Sequence, residues 1–125
     1  LLTVTGVQTC ALPICLGSLD VHYSSGVANH FFYLLAEGSA PTGGPANPTC
    51  VSGNTKKATG SAALSGIGRD KAGKIWYRAL TVYMTSGTNY AAARTATLNA
   101  AGDLYGAGSA EQAAVAAAWS AVLVN

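Results

Sequence analysis

Residues 68–83 read GRDKAGKIWYRALTVY, and within them Ala72, Ile75, Trp76, Ala79, Leu80 and Tyr83 recur at three- and four-residue steps. Such steps bring side chains to one face of a helix, whereas a strand alternates every second residue. Asp70 falls in the first turn, where a carboxylate complements the positive end of the helix dipole. The stretch is therefore an amphipathic helix.

The same period appears on both sides of it. Over residues 27–37, Val27, Phe31, Leu34 and Leu35 share a face, and Gly38 is placed to end that helix. A third helix is expected over residues 89–105, with Tyr90, Leu98, Ala101 and Tyr105 on one side and Gly106 as its stop. A fourth, over residues 109–122, opens on Ser109-Ala110-Glu111-Gln112 at capping-box spacing. Short links between the last three imply antiparallel packing. Residues 39–60 contain SAPTGGPANPTC and SGNTKKATG, turn formers that discourage regular structure and mark a long loop. The expected fold is mainly α: a small helical bundle of about four helices with one long Gly/Pro/Ser/Thr-rich loop.

With 125 residues, half of them hydrophobic, the chain is long enough for one domain with a core. Fifteen glycines and the alanine runs make that core small-residued. A net charge of +2 from scattered basic residues points to no nucleic-acid or membrane-surface partner. The longest apolar run, residues 113–124 broken by Ser120, falls short of the roughly 20 residues that span a bilayer. Cys10, Cys15 and Cys50 form neither a paired framework nor a CxxC metal knuckle.

Three constellations invite chemistry. Residues 68–75, GRDKAGKI, nearly spell a phosphate-binding loop, but Ile75 stands where a hydroxyl is required and Gly73 lies inside the helical pattern. A solvated helix face is the better account. His22, His30 and Glu37 suggest zinc ligands, yet His30 and Glu37 on one helix stand about 10 Å apart along its axis, and no HExxH occurs. His30, beside Phe31 and Phe32, reads as a helix-surface or packing residue. The third is Asp20-Val21-His22-Tyr23-Ser24-Ser25. If extended, it points Asp20 and His22 to one side, so that a carboxylate orients an imidazole able to donate to a developing oxyanion. A Ser-His-Asp triad from Ser24 or Ser25 is disfavoured by the closeness in sequence and the absent GxSxG elbow. Either serine serves better as the N-cap of the first helix.

These residues carry a resemblance. LDVHYSSGVANHFFYLLAEG at residues 19–38, SGIGRDKAGKIWYRALTVYMTSGTNYAAARTATLNAAGDLYG at residues 65–106 and the last amphipathic helix closely resemble the C-terminal helical lobe of thermolysin-like zinc metalloendopeptidases. The resemblance implies a two-lobed secreted, extracellular enzyme, with zinc held by an HExxH helix and a downstream glutamate, calcium sites, and peptide or protein substrates. It assigns to His22, in its VHxxSG setting, donation of a hydrogen bond to the tetrahedral intermediate. The aspartate that orients this histidine falls in the family at the position of Gly17, and Asp20 is the nearby carboxylate left to do so. Catalytic residues His22 and Asp20 are thus expected, with zinc, and calcium as well, belonging to the full-length parent and none bound by this chain. The missing N-terminal lobe is its expected partner, and alone it should not hydrolyse peptides.

Residues 4–14, VTGVQTCALPI, stand apart, with no charge, no period and Pro13 against either regular element. Back-translated, they resemble a short-read sequencing adapter, so residues 1–14 are expected to be non-native and residues 15–125 to form the helical domain. Cys10 and Cys15 then drop out of the cysteine count, and Cys50 is free or has its partner upstream in a secreted parent. The alternative to a peptidase lobe is a stand-alone helical binding module without catalysis.

Overall fold

The computed structural model describes residues 9–11, 20–52 and 58–125. A single helical turn, α1 (Val21–Ser24), leads through Ser25 into α2 (Gly26–Glu37). After the long connection come α3 (Arg69–Arg78), α4 (Tyr90–Tyr105) and α5 (Ala110–Ala121). The described residues contain no regular strand, only the isolated antiparallel bridges Gly38–Ser65 and Thr49–Gly60. The molecule is mainly α, as its periodicity indicates.

The helix ends follow local chemistry. Asn89 caps α4 by accepting from the Ala92 amide at 2.9 Å, and Ser109 caps α5 by accepting from Gln112 at 3.2 Å. The Gln112 side chain reaches back to the Gly108 amide and also donates to the Leu98 carbonyl, so one residue closes the cap and ties α5 to α4. Gly38 and Gly106 end their helices at φ of 79° and 100°, a region open to glycine at no steric cost.

The core lies where α2, α4 and α5 meet. Trp119 is fully buried, stacked on Phe31 with ring centroids 3.8 Å apart, and its indole N–H donates to the Thr97 hydroxyl at 2.8 Å. That hydroxyl in turn donates to the Ala93 carbonyl. Ala93, Ala96, Ala100 and Ala101 face inward from α4, and their small side chains let α5 approach it closely. Arg94 donates to the Ala116 and Val124 carbonyls at 3.0 Å each, fastening the end of α5.

Two expectations need correction, on the stripe of α3 and on residues 9–11. The apolar stripe of α3 does not run through Leu80 and Tyr83, which are 47% and 38% exposed. Residues Ala79–Tyr83 form a π-helical turn, with the Met84 amide bonded to the Ala79 carbonyl, and the wider turn rotates the stripe away from the core. The connection over residues 39–60 is a long loop, as expected, and is tied down where described: Cys50 N–H donates to Ala121, Asn47 to Ser39, and Thr49 and Gly60 exchange backbone bonds.

Residues 9–11 belong to the core. Cys10 forms a disulfide with Cys50 at a Cα–Cα distance of 5.8 Å, and the Ala11 amide donates to the Val122 carbonyl at 2.8 Å. Cys10 therefore counts in this chain's packing, and Cys50 is paired. Cys15 lies outside the described residues.

Candidate functional site

Residues 20–25 do not run extended. Asp20 is the N-cap of α1, and its Oδ1 accepts from the His22 amide at 2.8 Å and from His22 Nδ1 at 2.5 Å. A residue pair two apart thus meets through a helical cap rather than through strand alternation. The Ser24 and Ser25 amides complete the turn by donating to the Asp20 and Val21 carbonyls. The His22 amide, first, and the His22 ring hold the Asp20 carboxyl below its ordinary value of 3.8.

Both side chains face solvent, His22 at 85% and Asp20 at 58% exposure, and neighbouring Val21 is 70% exposed. With Nδ1–H committed to Asp20, Nε2 is the nitrogen left to address a group outside the chain. The imidazole can donate from Nε2 at the same time only when both ring nitrogens carry protons. The pair is a solvent-exposed hydrogen-bonding group, fixed in direction from one side.

The serines do not complete a triad. Ser24 Oγ donates to the Asp20 backbone carbonyl, and Ser25 precedes α2 without a side-chain capping bond. Ser25 stands at the N-cap of α2 as expected but makes no side-chain bond there, and the side-chain cap of this segment is made by Asp20 at the start of α1. The phosphate-loop reading fails as anticipated: Gly73 lies within α3, Lys71 pairs with Glu111, and Arg69 pairs with Glu37.

His22, His30 and Glu37 do not converge. Glu37 serves Arg69, while His30, only 5% exposed, places Nδ1 at 3.0 Å from the Thr9 carbonyl and Nε2 at 2.8 Å from the Pro48 carbonyl. Its expected placement on the helix surface is overturned and its packing role upheld. The one metal-sized group among the described residues is Cys10, His30 and Cys50, with ligand atoms within 4.8 Å of one another. Its two sulfurs are joined in the disulfide and its imidazole is turned to carbonyls, so these residues do not fit a zinc ion. Among the described residues, no helix is long and apolar enough to cross a membrane.

The chain has relatives among known proteases. It is 50% identical over 110 residues to the transglutaminase-activating metalloprotease of Streptomyces mobaraensis, an alignment covering 88% of this chain and 14% of that protein. It is 43% identical to bacillolysin of Bacillus cereus, covering 87% of the chain and 17% of the relative. Thermolysin of Alicyclobacillus acidocaldarius is 39% identical over 82% of the chain and 15% of its own length. The chain thus spans about a seventh of the length of these proteins. The family description matched by residues 8–124 is the thermolysin metallopeptidase alpha-helical domain, and the chain belongs to that family.

Proposed function

We propose that this chain is the C-terminal helical lobe of a secreted, extracellular, zinc-dependent metalloendopeptidase, and that it supplies His22, oriented by Asp20, to the cleft. The observation that carries this proposal is the Asp20–His22 pair itself, held by a two-pronged cap and exposed immediately before α2. The peptide or protein substrate, the zinc, its HExxH ligands and general-base glutamate, and calcium belong to the full-length parent. The zinc would supply Lewis-acid activation there. His22 donates from Nε2 to the oxyanion that forms at the scissile carbonyl, and Asp20 keeps the ring in place. No reorganisation of the donor is then needed when the charge appears.

In an enzyme with both lobes, His22→Ala should lower kcat by about 10²- to 10³-fold, the typical cost of one oxyanion donor. KM and zinc content should change little. Loss of zinc from this variant would make His22 a ligand and overturn the assignment. The 125-residue chain contains no HExxH and is expected to be inactive by itself. Chelator-sensitive cleavage of casein by the purified chain would refute that.

We read residues 1–14 as foreign in origin and residues 15–125 as the native lobe, although residues 9–11 are packed into its core and the family match begins at residue 8. Genomic sequence upstream of the Cys15 codon decides this: an in-frame HExxH followed by a glutamate supports the peptidase lobe, whereas a start codon near Leu16 supports a stand-alone module.

A further inference from the structure

A four-residue helix does not hold itself in water, because nucleation fixes more torsions than its few hydrogen bonds repay. α1 carries the His22 imidazole, so something outside the turn has to set its position. Among the described residues, the side chain that reaches it from elsewhere in the fold is Tyr90, the first residue of α4. Its hydroxyl donates to the Ser24 carbonyl at 2.7 Å across 66 residues of sequence. One phenol therefore ties the last carbonyl of α1, next to the junction at Ser25, to the start of α4.

The phenol is itself aimed by the core. Its half-buried ring packs against Trp119, with centroids 6.0 Å apart and planes tilted by 50°, and Trp119 is fixed by Phe31 and Thr97. Burial pushes the Tyr90 pKa up, so the hydroxyl keeps its proton and remains a donor. Position is thus transmitted from the buried indole through the phenol to the turn that carries the exposed imidazole.

We propose that Tyr90 is a positioning residue for His22, acting through the α1–α2 junction without touching substrate. This rests on the role given to His22 above. A group that stabilises a transition state loses effect when displaced by a fraction of a bond length, so a loosened turn lowers the rate without changing substrate affinity. Tyr90→Phe keeps the ring packing and removes the oxygen.

The first test uses this chain, with amide hydrogen exchange followed by NMR. Tyr90→Phe should speed exchange at Ser24 and Ser25 by about tenfold or more while amides of α4 and α5 keep their protection. Unchanged exchange at Ser24 and Ser25 overturns the proposal. The second test is a cycle in the two-lobed enzyme with Tyr90→Phe, His22→Ala and both together. Tyr90→Phe should lower kcat about tenfold at nearly constant KM, and should have no further effect once His22 is alanine. An equal loss in both backgrounds makes Tyr90 a general stability residue and overturns the proposal. If His22→Ala alone leaves kcat unchanged, the role of His22 falls and this inference with it, whereas faster exchange in Tyr90→Phe with an unaffected kcat overturns the inference alone.

Discussion

Asp20 uses one oxygen for two tasks, capping α1 and orienting the ring that α1 carries. Its carboxyl is held below 3.8, so the sign of its pH dependence is fixed. A depressed acid contributes above its unfolded value and loses that contribution as pH falls through its folded value. The His22 amide proton should accordingly shift along a titration with a midpoint under 3.8, and Asp20→Asn should abolish that titration. A midpoint at or above 3.8 would show that the cap is not formed in solution. The pairing of Asp20 with His22 was legible in the sequence from spacing alone, although the extended geometry that suggested it is not the one that delivers it. His30 was not legible. Its carbonyl partners lie 21 and 18 residues away, beyond any local pattern. His30→Ala should destabilise the chain by about 1–3 kcal/mol, the cost of leaving buried carbonyls without a donor, as read by urea denaturation. In a two-lobed enzyme this variant should leave kcat unaffected.

Among the elements, those whose ends carry chemical signals were the readable ones. Asn89 and Gly106 bracket α4, and the Ser109–Gln112 spacing opens α5, because caps are local interactions and local sequence encodes them. The far end of α3 was misread at Leu80 and Tyr83 because a periodicity argument assumes one uniform helix, and the π turn over Ala79–Tyr83 breaks that assumption. The displaced Tyr83 finds a partner nonetheless: its hydroxyl and the Arg78 guanidinium both donate to Asp103 on α4. Those two bonds hold the Asp103 carboxyl low, the tyrosine's first, and they fasten the distorted end of α3. Earlier in the same helix, Gly73 occupies an interior position where an added Cβ meets nothing within 4 Å. Gly73→Ala should therefore stabilise the chain by about 0.5–1 kcal/mol, the helix-propensity difference, with a matching rise in Tm. A fall in Tm would mean that this face of α3 is not open as the structure has it.

At the scale of the whole molecule, the connection over residues 39–60 and the segment before α1 are held to the bundle by each other. The Cys10–Cys50 disulfide closes a separation of 40 residues, Cys50 N–H reaches Ala121, and Ala11 N–H reaches Val122 at the end of α5. Thr9, Cys10 and Ala11 are all buried. The sequence gives no hint of this, because a stretch with neither charge nor period offers nothing to a pattern argument, while a cysteine needs only reach and geometry to pair. Origin and packing are separate properties of such a segment. In this chain the segment therefore contributes to stability, whatever its origin. Cys10→Ser should cost up to about 4 kcal/mol on the loop-entropy model for a closure of this length, with strain and residual unfolded-state structure reducing it. Deletion of residues 1–14 should cost more, since it also removes the Ala11 bond and the Thr9 carbonyl that faces His30. The measurement is the urea midpoint of the intact chain, of Cys10→Ser and of the deletion, each with and without a dithiol reductant. The reductant should lower the midpoint of the intact chain alone, and the deletion should lie below Cys10→Ser. Three coincident midpoints would mean that residues 9–11 make no energetic contribution in solution.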